Sequence, residues 1–116
     1  VEDQKTYQVE LTSKAKIYFL EVLEYFYQYG SLVSAERKAD ALYSLALTLN
    51  KLPDGGSIEP TLQGLKREYR FILFKSTSKA VIKIIYFIDK KDSVVYITDF
   101  FPTSMDVKAL GARNVR

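Results

Sequence analysis

The chain from Lys66 to Phe101 reads KREYRFILFKSTSKAVIKIIYFIDKKDSVVYITDFF, and its reading decides the fold. Three apolar runs rich in Ile, Val, Tyr and Phe are separated by short polar breaks at Ser76 to Lys79 and Asp89 to Ser93. β-Branched and aromatic runs bounded in this way predict strands joined by hairpins, here an antiparallel three-stranded meander. Side chains alternate across a strand, so the length of each turn sets which residues share a face. An even turn centred on Thr77 and Ser78 puts Tyr69, Phe71 and Leu73 with Ile82, Ile84, Tyr86 and Ile88 on a core face. Arg70, Ile72 and Phe74 then share the reverse face with Val81, Lys83, Ile85 and Phe87. An even turn around Lys90 to Asp92 adds Val95 and Ile97 to the core face and sets Tyr96 and Thr98 beside Arg70 and Lys83; an odd turn would swap that assignment. On this reading the apolar face is buried and the cation-bearing face is left for function.

Upstream, Tyr7, Val9 and Leu11 alternate with polar neighbours, the period of a strand with one buried side, which joins the edge of the later sheet. Thr12 or Ser13 is placed to cap a helix carrying Ala15, Phe19, Val22, Leu23 and Phe26 on one stripe, stopped by Gly30. A second helix is expected from near Ser34, with Ala35, Ala39, Leu42, Ala46 and Leu49 on one face, ended by Pro53 and the Asp54–Gly55–Gly56 cluster. Such a pair of helices needs a surface for its apolar stripes, and the apolar face of the meander supplies it. Residues 54–64 are expected to form an exposed, mobile link. Thr103 or Ser104 would cap a short helix through Leu110, before a frayed tail over 111–116. The resulting order is β, α, α, β, β, β and a terminal α: one α+β domain over 1–116, its core about 7–106, with a polar lead-in at 1–5.

Composition narrows the chemistry. With 116 residues and 47% hydrophobic content, the chain suits one core rather than two. No run of about 18 apolar residues and no signal peptide is found, so a soluble cytoplasmic protein without membrane contact is expected. Cysteine and histidine are both absent, which removes a disulfide framework, a thiolate nucleophile and the usual general base and metal ligand. Glycine-loop, HExxH and GxSxG motifs are missing too. Asp89 and Asp92 flank a turn, where Asp is favoured for turn geometry alone; no metal and no cofactor is expected.

Charge is unevenly spread. Residues 1–63 hold six Lys plus Arg against nine Asp plus Glu, residues 64–91 hold eight against two, and the rest is balanced at three each. The first hairpin, with Lys66, Arg67, Arg70, Lys75, Lys79 and Lys83, is therefore a candidate surface for a polyanion or an acidic protein segment; the competing reading is lysines that keep strand edges soluble and unpaired. Arg70, Lys83 and Tyr96 on one face could clamp a phosphate and assist RNA cleavage, or could be no more than a polar patch on a half-exposed sheet.

Laid out in order, the chain resembles the RelE/ParE superfamily of toxins from type II toxin–antitoxin modules, the plasmid stabilisation family. The resemblance runs over about residues 7–106. Its marks are Tyr7-x-Val9-x-Leu11-Thr12 followed by Ala15, Ser31 with Ser34-Ala35-Glu36, and Leu52-Pro53. The Tyr69-Arg70 pair, Lys83 to Asp89, and Val95-Tyr96-Ile97 complete it. It implies a growth-inhibiting toxin bound by a cognate antitoxin, as a homodimer or a heterotetramer with that antitoxin. RelE-like members cut mRNA on the ribosome with basic sheet residues; here Arg70 matches one such position and Lys83 approximates another. Ile72 stands where a second basic residue is expected, Phe100-Phe101-Pro102 replaces an Arg- or His-containing segment, and no Tyr or His follows Tyr96. ParE-like members poison DNA gyrase without that set, and the long helical hairpin is similar to theirs. The resemblance is therefore closer to ParE; an mRNA interferase and an inactive interaction module are the alternatives.

Overall fold

The computed structural model describes residues 6–77 and 80–114; the lead-in at 1–5, Ser78, Lys79 and the last two positions of the tail lie outside them. An N-terminal strand β1 (Gln8–Leu11) is followed by a hairpin of helices, α1 (Ser13–Gln28) and α2 (Leu32–Leu47). A two-residue strand β2 (Ser57–Ile58) then precedes the meander β3 (Arg70–Lys75), β4 (Val81–Asp89) and β5 (Val94–Pro102), and α3 (Val107–Asn114) closes the chain. The sheet order is β1-β5-β4-β3-β2, with β1 parallel to β5 and the other pairs antiparallel. This is the α+β arrangement expected from the order of patterns.

Local chemistry sets the helix starts. The Thr12 hydroxyl accepts from the Ala15 amide at 3.1 Å, and Ser31 does the same for the Ser34 amide at 3.1 Å, so α2 begins at Leu32 rather than near Ser34. Leu32 and Val33 stand exposed in that first turn, which is why apolar periodicity did not reach them. From α1 and α2, Ala15, Val22, Phe26, Ala35, Leu42 and Ala46 pack with Ile82, Ile84, Tyr86, Val95, Ile97 and Phe100 of the sheet into the main core. Removal of one large aliphatic side chain from such a core costs about 2–5 kcal/mol.

The first hairpin departs from expectation by one residue. Phe74 faces Ile82 and Lys75 faces Val81, so the connection spans residues 76–80 and is odd. Hydrogen bonds that Ser76 and Ala80 make with each other close the turn at Ala80 rather than Lys79: Ser76 donates from its amide and its hydroxyl to the Ala80 carbonyl. Every side chain of β3 therefore changes side. Arg70, Ile72 and Phe74 join Ile82, Ile84 and Tyr86 on the helix face, whereas Phe71 and Leu73 share the reverse face with Lys83 and Ile85. The second hairpin is even, as expected, and sends Val95 and Ile97 to the core.

The reverse face is not left open. Leu62, Tyr69, Ile85, Phe101 and Leu110 form a second buried cluster under α3 and the 3-10 turn Pro60–Leu62. Two expectations are corrected here. The link over 54–64 is built in, contributing β2 and burying Glu59 and Leu62. The tail is helical through Asn114, with Asp106, not Thr103 or Ser104, accepting from the Lys108 amide at 3.0 Å. Gly111 reads as a stop in sequence, yet the i, i+4 pair Leu110 and Asn114 is buried beneath one side of the helix.

A bulge makes that cover possible. Between Ile85 and Tyr86 the β4–β5 register shifts, so Thr98 is an extra residue: Tyr86 faces Ile97 but Ile85 faces Asp99. Asp99 is thereby turned away from the helical core and toward α3.

Candidate functional site

An open cleft of about 890 Å³ runs along the end of the sheet where β3 begins and β4 ends. Its floor is aromatic. The rings of Phe87 and Tyr96 stack with centroids 5.3 Å apart, and Tyr69 meets Phe87 edge-on at 5.8 Å. Arg67 lies over Phe87 with its guanidinium carbon 4.3 Å from the ring centroid, a cation–π contact that fixes the side chain on this floor. Lys14, Lys66 and Lys90 stand around the rim, opposed by Asp54, Glu68 and Asp89. Among the described residues, Lys14, Lys66, Arg67 and Lys90 make no ion pair, so their charge is available to a ligand. Aromatic faces ringed by unpaired cations suit a flat or acidic segment of a macromolecule.

The trio Arg70, Lys83 and Tyr96 is not assembled as the sequence suggested: Arg70 and Tyr96 both border the cleft, whereas Lys83 does not. Tyr96 shares the reverse face with Lys83, while the odd turn puts Arg70 on the other side of the sheet. Arg70 spends its donors locally: Nη2 meets Glu68 at 2.8 Å, Nε the same carboxylate at 3.0 Å, and Nη1 the Gly56 carbonyl at 2.9 Å. Lys83 reaches a carboxylate that sequence reading missed. Its ammonium lies 2.7 Å from Glu59 Oε1, over the Phe71 ring at 4.3 Å, and Glu59 is 0% exposed. The other Glu59 oxygen accepts from the Thr61 amide at 3.1 Å, so the pair ties the Pro60–Leu62 turn to β4. Glu is almost never fully buried unless paired, and nothing in the local pattern marks this one. Of the remaining basic candidates, Lys66 and Arg67 belong to the cleft, while Lys75 is exposed at the far end of β3. Lys79 lies outside the described residues.

A second unforeseen cluster closes the other wall. Arg113 grips Asp99 with two hydrogen bonds of 3.1 and 2.7 Å and lies 3.8 Å over the Tyr18 ring, while Asn114 donates to Asp99 at 2.9 Å. Thr98 donates to the Asn114 side-chain oxygen at 2.7 Å. Burial pushes the Asp99 carboxyl up, against the pull of Arg113 and Asn114. Burial also raises the Tyr86 hydroxyl, which donates to the Pro53 carbonyl at 2.6 Å and accepts from the Gly56 amide at 3.1 Å; that amide and Arg70 oppose the shift. Each of these groups holds backbone or helix in place, and neither lines the cleft.

Searched for relatives, the sequence matches no protein-family model and no curated protein. Among solved structures it is similar to the free state of an Escherichia coli toxin RelE variant with two Arg-to-Ala substitutions. The TM-score is 0.53 at 15% sequence identity, over 96% of this chain and 99% of the other. The fold is therefore RelE-like.

Proposed function

We propose that this chain is the toxin of a type II toxin–antitoxin module, acting in the bacterial cytoplasm by binding a macromolecular target, in the manner of ParE-like toxins that poison DNA gyrase. The observation that carries the choice is the engagement of the would-be catalytic cations. Lys83 is held by Glu59 and Arg70 by Glu68 and the Gly56 carbonyl, from opposite faces of the sheet. Phosphate charge stabilisation needs donors aimed at the scissile group and free to receive it. What remains free is a rim of cations around stacked rings, which is recognition machinery. An antitoxin would neutralise the protein by covering that surface.

The RelE-like alternative, a ribosome-dependent mRNA interferase, is supported by likeness to the RelE toxin structure over nearly the full length of both chains. Induction of the gene in bacterial cells separates the two. A DNA-damage response with trapped gyrase–DNA complexes is expected; rapid arrest of translation without DNA breaks overturns the proposal. If arrest occurs and Arg70→Ala leaves it intact, the phosphate-clamp role of Arg70 is excluded as well. An inactive interaction module would give no growth defect.

A further inference from the structure

Residues 63–68 are exposed without a break, between Leu62 at 1% and Tyr69 at 7% exposure. Both ends are tied. The Leu62 and Gln63 amides donate to the Glu59 and Pro60 carbonyls, and the Tyr69 carbonyl accepts from the Glu59 amide. Between these points, among the described residues, 64–68 make no backbone–backbone hydrogen bond. Gly64 opens this strap in the left-handed region, where φ is +91°, with nothing within 4 Å of the place a Cβ would take. The chain can therefore turn there without displacing a neighbour. Residues 66–69 line both the cleft and a second hollow of about 380 Å³ bounded by Ile58, Glu59 and Leu62, so the strap stands between two open spaces. Side chains hold it at two points: Glu68 on Arg70 secures its C-terminal end, and Arg67 over Phe87 secures its middle. The second contact covers a ring that, with Tyr96, makes the floor of the cleft.

We propose that this strap is a lid, hinged at Gly64 and latched by Arg67, which lifts so that an aromatic side chain of an acidic partner segment replaces the guanidinium on Phe87. The ligand class rests on the reading of the cleft as a recognition surface; the latch does not. One exposed cation–π contact biases a two-state equilibrium only about two- to fivefold, so the closed strap hinders access to the floor without sealing it. Lifting loses little else, since no backbone hydrogen bond breaks and no side chain of 63–68 belongs to a buried cluster. The incoming ring recovers the stacking that Arg67 gives up, and Lys66 and Arg67 are then free to meet carboxylates flanking it. Asp54, Glu68 and Asp89 stand among the rim cations. They divide the positive charge into separate positions, which suits spaced carboxylates and opposes a closely charged phosphate backbone.

Relaxation-dispersion NMR of the full chain tests the latch without a ligand. The backbone of 64–68 and the Phe87 ring are expected to share one microsecond-to-millisecond exchange process that Leu62 and Tyr69 lack. Arg67→Gln should shift the open-to-closed ratio about two- to fivefold toward open. Gly64→Val should shift it by at least about fivefold, since a β-branched residue resists positive φ. Neither change meets a neighbour or a buried group, so both variants fold. A pentapeptide of tryptophan flanked on each side by two glutamates is then titrated in. It is expected to hold the strap open, and to bind Gly64→Val tighter than wild type by the factor by which the open fraction rises. A strap that never leaves Phe87 in the free chain, or peptide binding that leaves its exchange unchanged, overturns the lid. A strap that opens while the peptide stays unbound supports the latch and overturns the recognition reading of the cleft. Tighter binding of single-stranded hexathymidylate than of the peptide overturns the choice of an acidic segment.

Discussion

Replacing Lys83 by Met leaves the Glu59 carboxylate in place, 0% exposed, without the ammonium that sits 2.7 Å away. Removing one partner of a buried ion pair costs about 3–5 kcal/mol. The lower end applies here, since Lys83 retains 21% exposure and the Thr61 amide still donates to Glu59. The expected loss is therefore about 3 kcal/mol. For a domain of this size that lowers the melting temperature by roughly 10–20 °C. Urea unfolding followed by far-ultraviolet circular dichroism measures it. Pairing Lys83→Met with Glu59→Gln removes the stranded charge, and the double variant is expected to recover to within about 1.5 kcal/mol of wild type. If the chain inhibits growth as proposed, that inhibition supplies the second readout: the stabilised double variant should retain the wild-type level, because Lys83 here anchors a turn. A Lys83→Met change that costs less than about 1 kcal/mol, with no recovery on adding Glu59→Gln, refutes the ion-pair reasoning. Where the wild type inhibits growth, a stable double variant that does not refutes the structural role assigned to Lys83.

Two further stability predictions concern groups that hold backbone in place. Tyr86→Phe strips the Pro53 carbonyl and Gly56 amide of a buried partner and is expected to cost about 2–4 kcal/mol in the same unfolding assay. Gly56→Ala is expected to be at least as damaging, since its added Cβ would stand 2.3 Å from the Tyr86 hydroxyl and 2.6 Å from the Phe71 carbonyl; the double variant should lose less than the sum. Asp99 gives a pH signature. Its folded pKa lies above the unfolded value because of burial, so its contribution is full below the unfolded pKa and is lost as pH rises through the folded one. The stability of wild type relative to Asp99→Asn should therefore decline as pH rises across that window in stepped-pH urea titrations, and a flat difference would contradict it.

Much of the architecture was legible in the chain. Alternation in Tyr7 to Leu11, the 3.6-residue stripes of the two helices and the β-branched runs after Arg70 all reported their elements, because burial of one face imposes a period on sequence. The helix cap was legible to within one residue, as Thr12 or Ser13, for the same local reason: the Thr12 hydroxyl reaches the Ala15 amide three residues on. The candidate site was read less well. Lys66 and Arg67 do border the cleft, but Phe87 and Tyr69, which build its floor, look in sequence like ordinary strand residues. Glu59 and Arg113 fall in stretches read as an exposed link and a frayed tail, and their ion-pair partners lie 24 and 14 residues away along the chain.

By itself, then, the sequence determined the two long helices, the edge strand and the three strands of the meander, in order, since each depends on groups within a few residues of one another; β2, the end of α3 and the parity of the hairpins lay beyond it. Tertiary structure alone decided the side on which Arg70 stands, through the odd span of residues 76–80, and the direction of Asp99, through the extra residue at Thr98. Both are matters of phase. A single residue gained or lost in pairing reverses every side chain beyond it, and which phase wins depends on the total burial achieved when helices, turn and sheet meet.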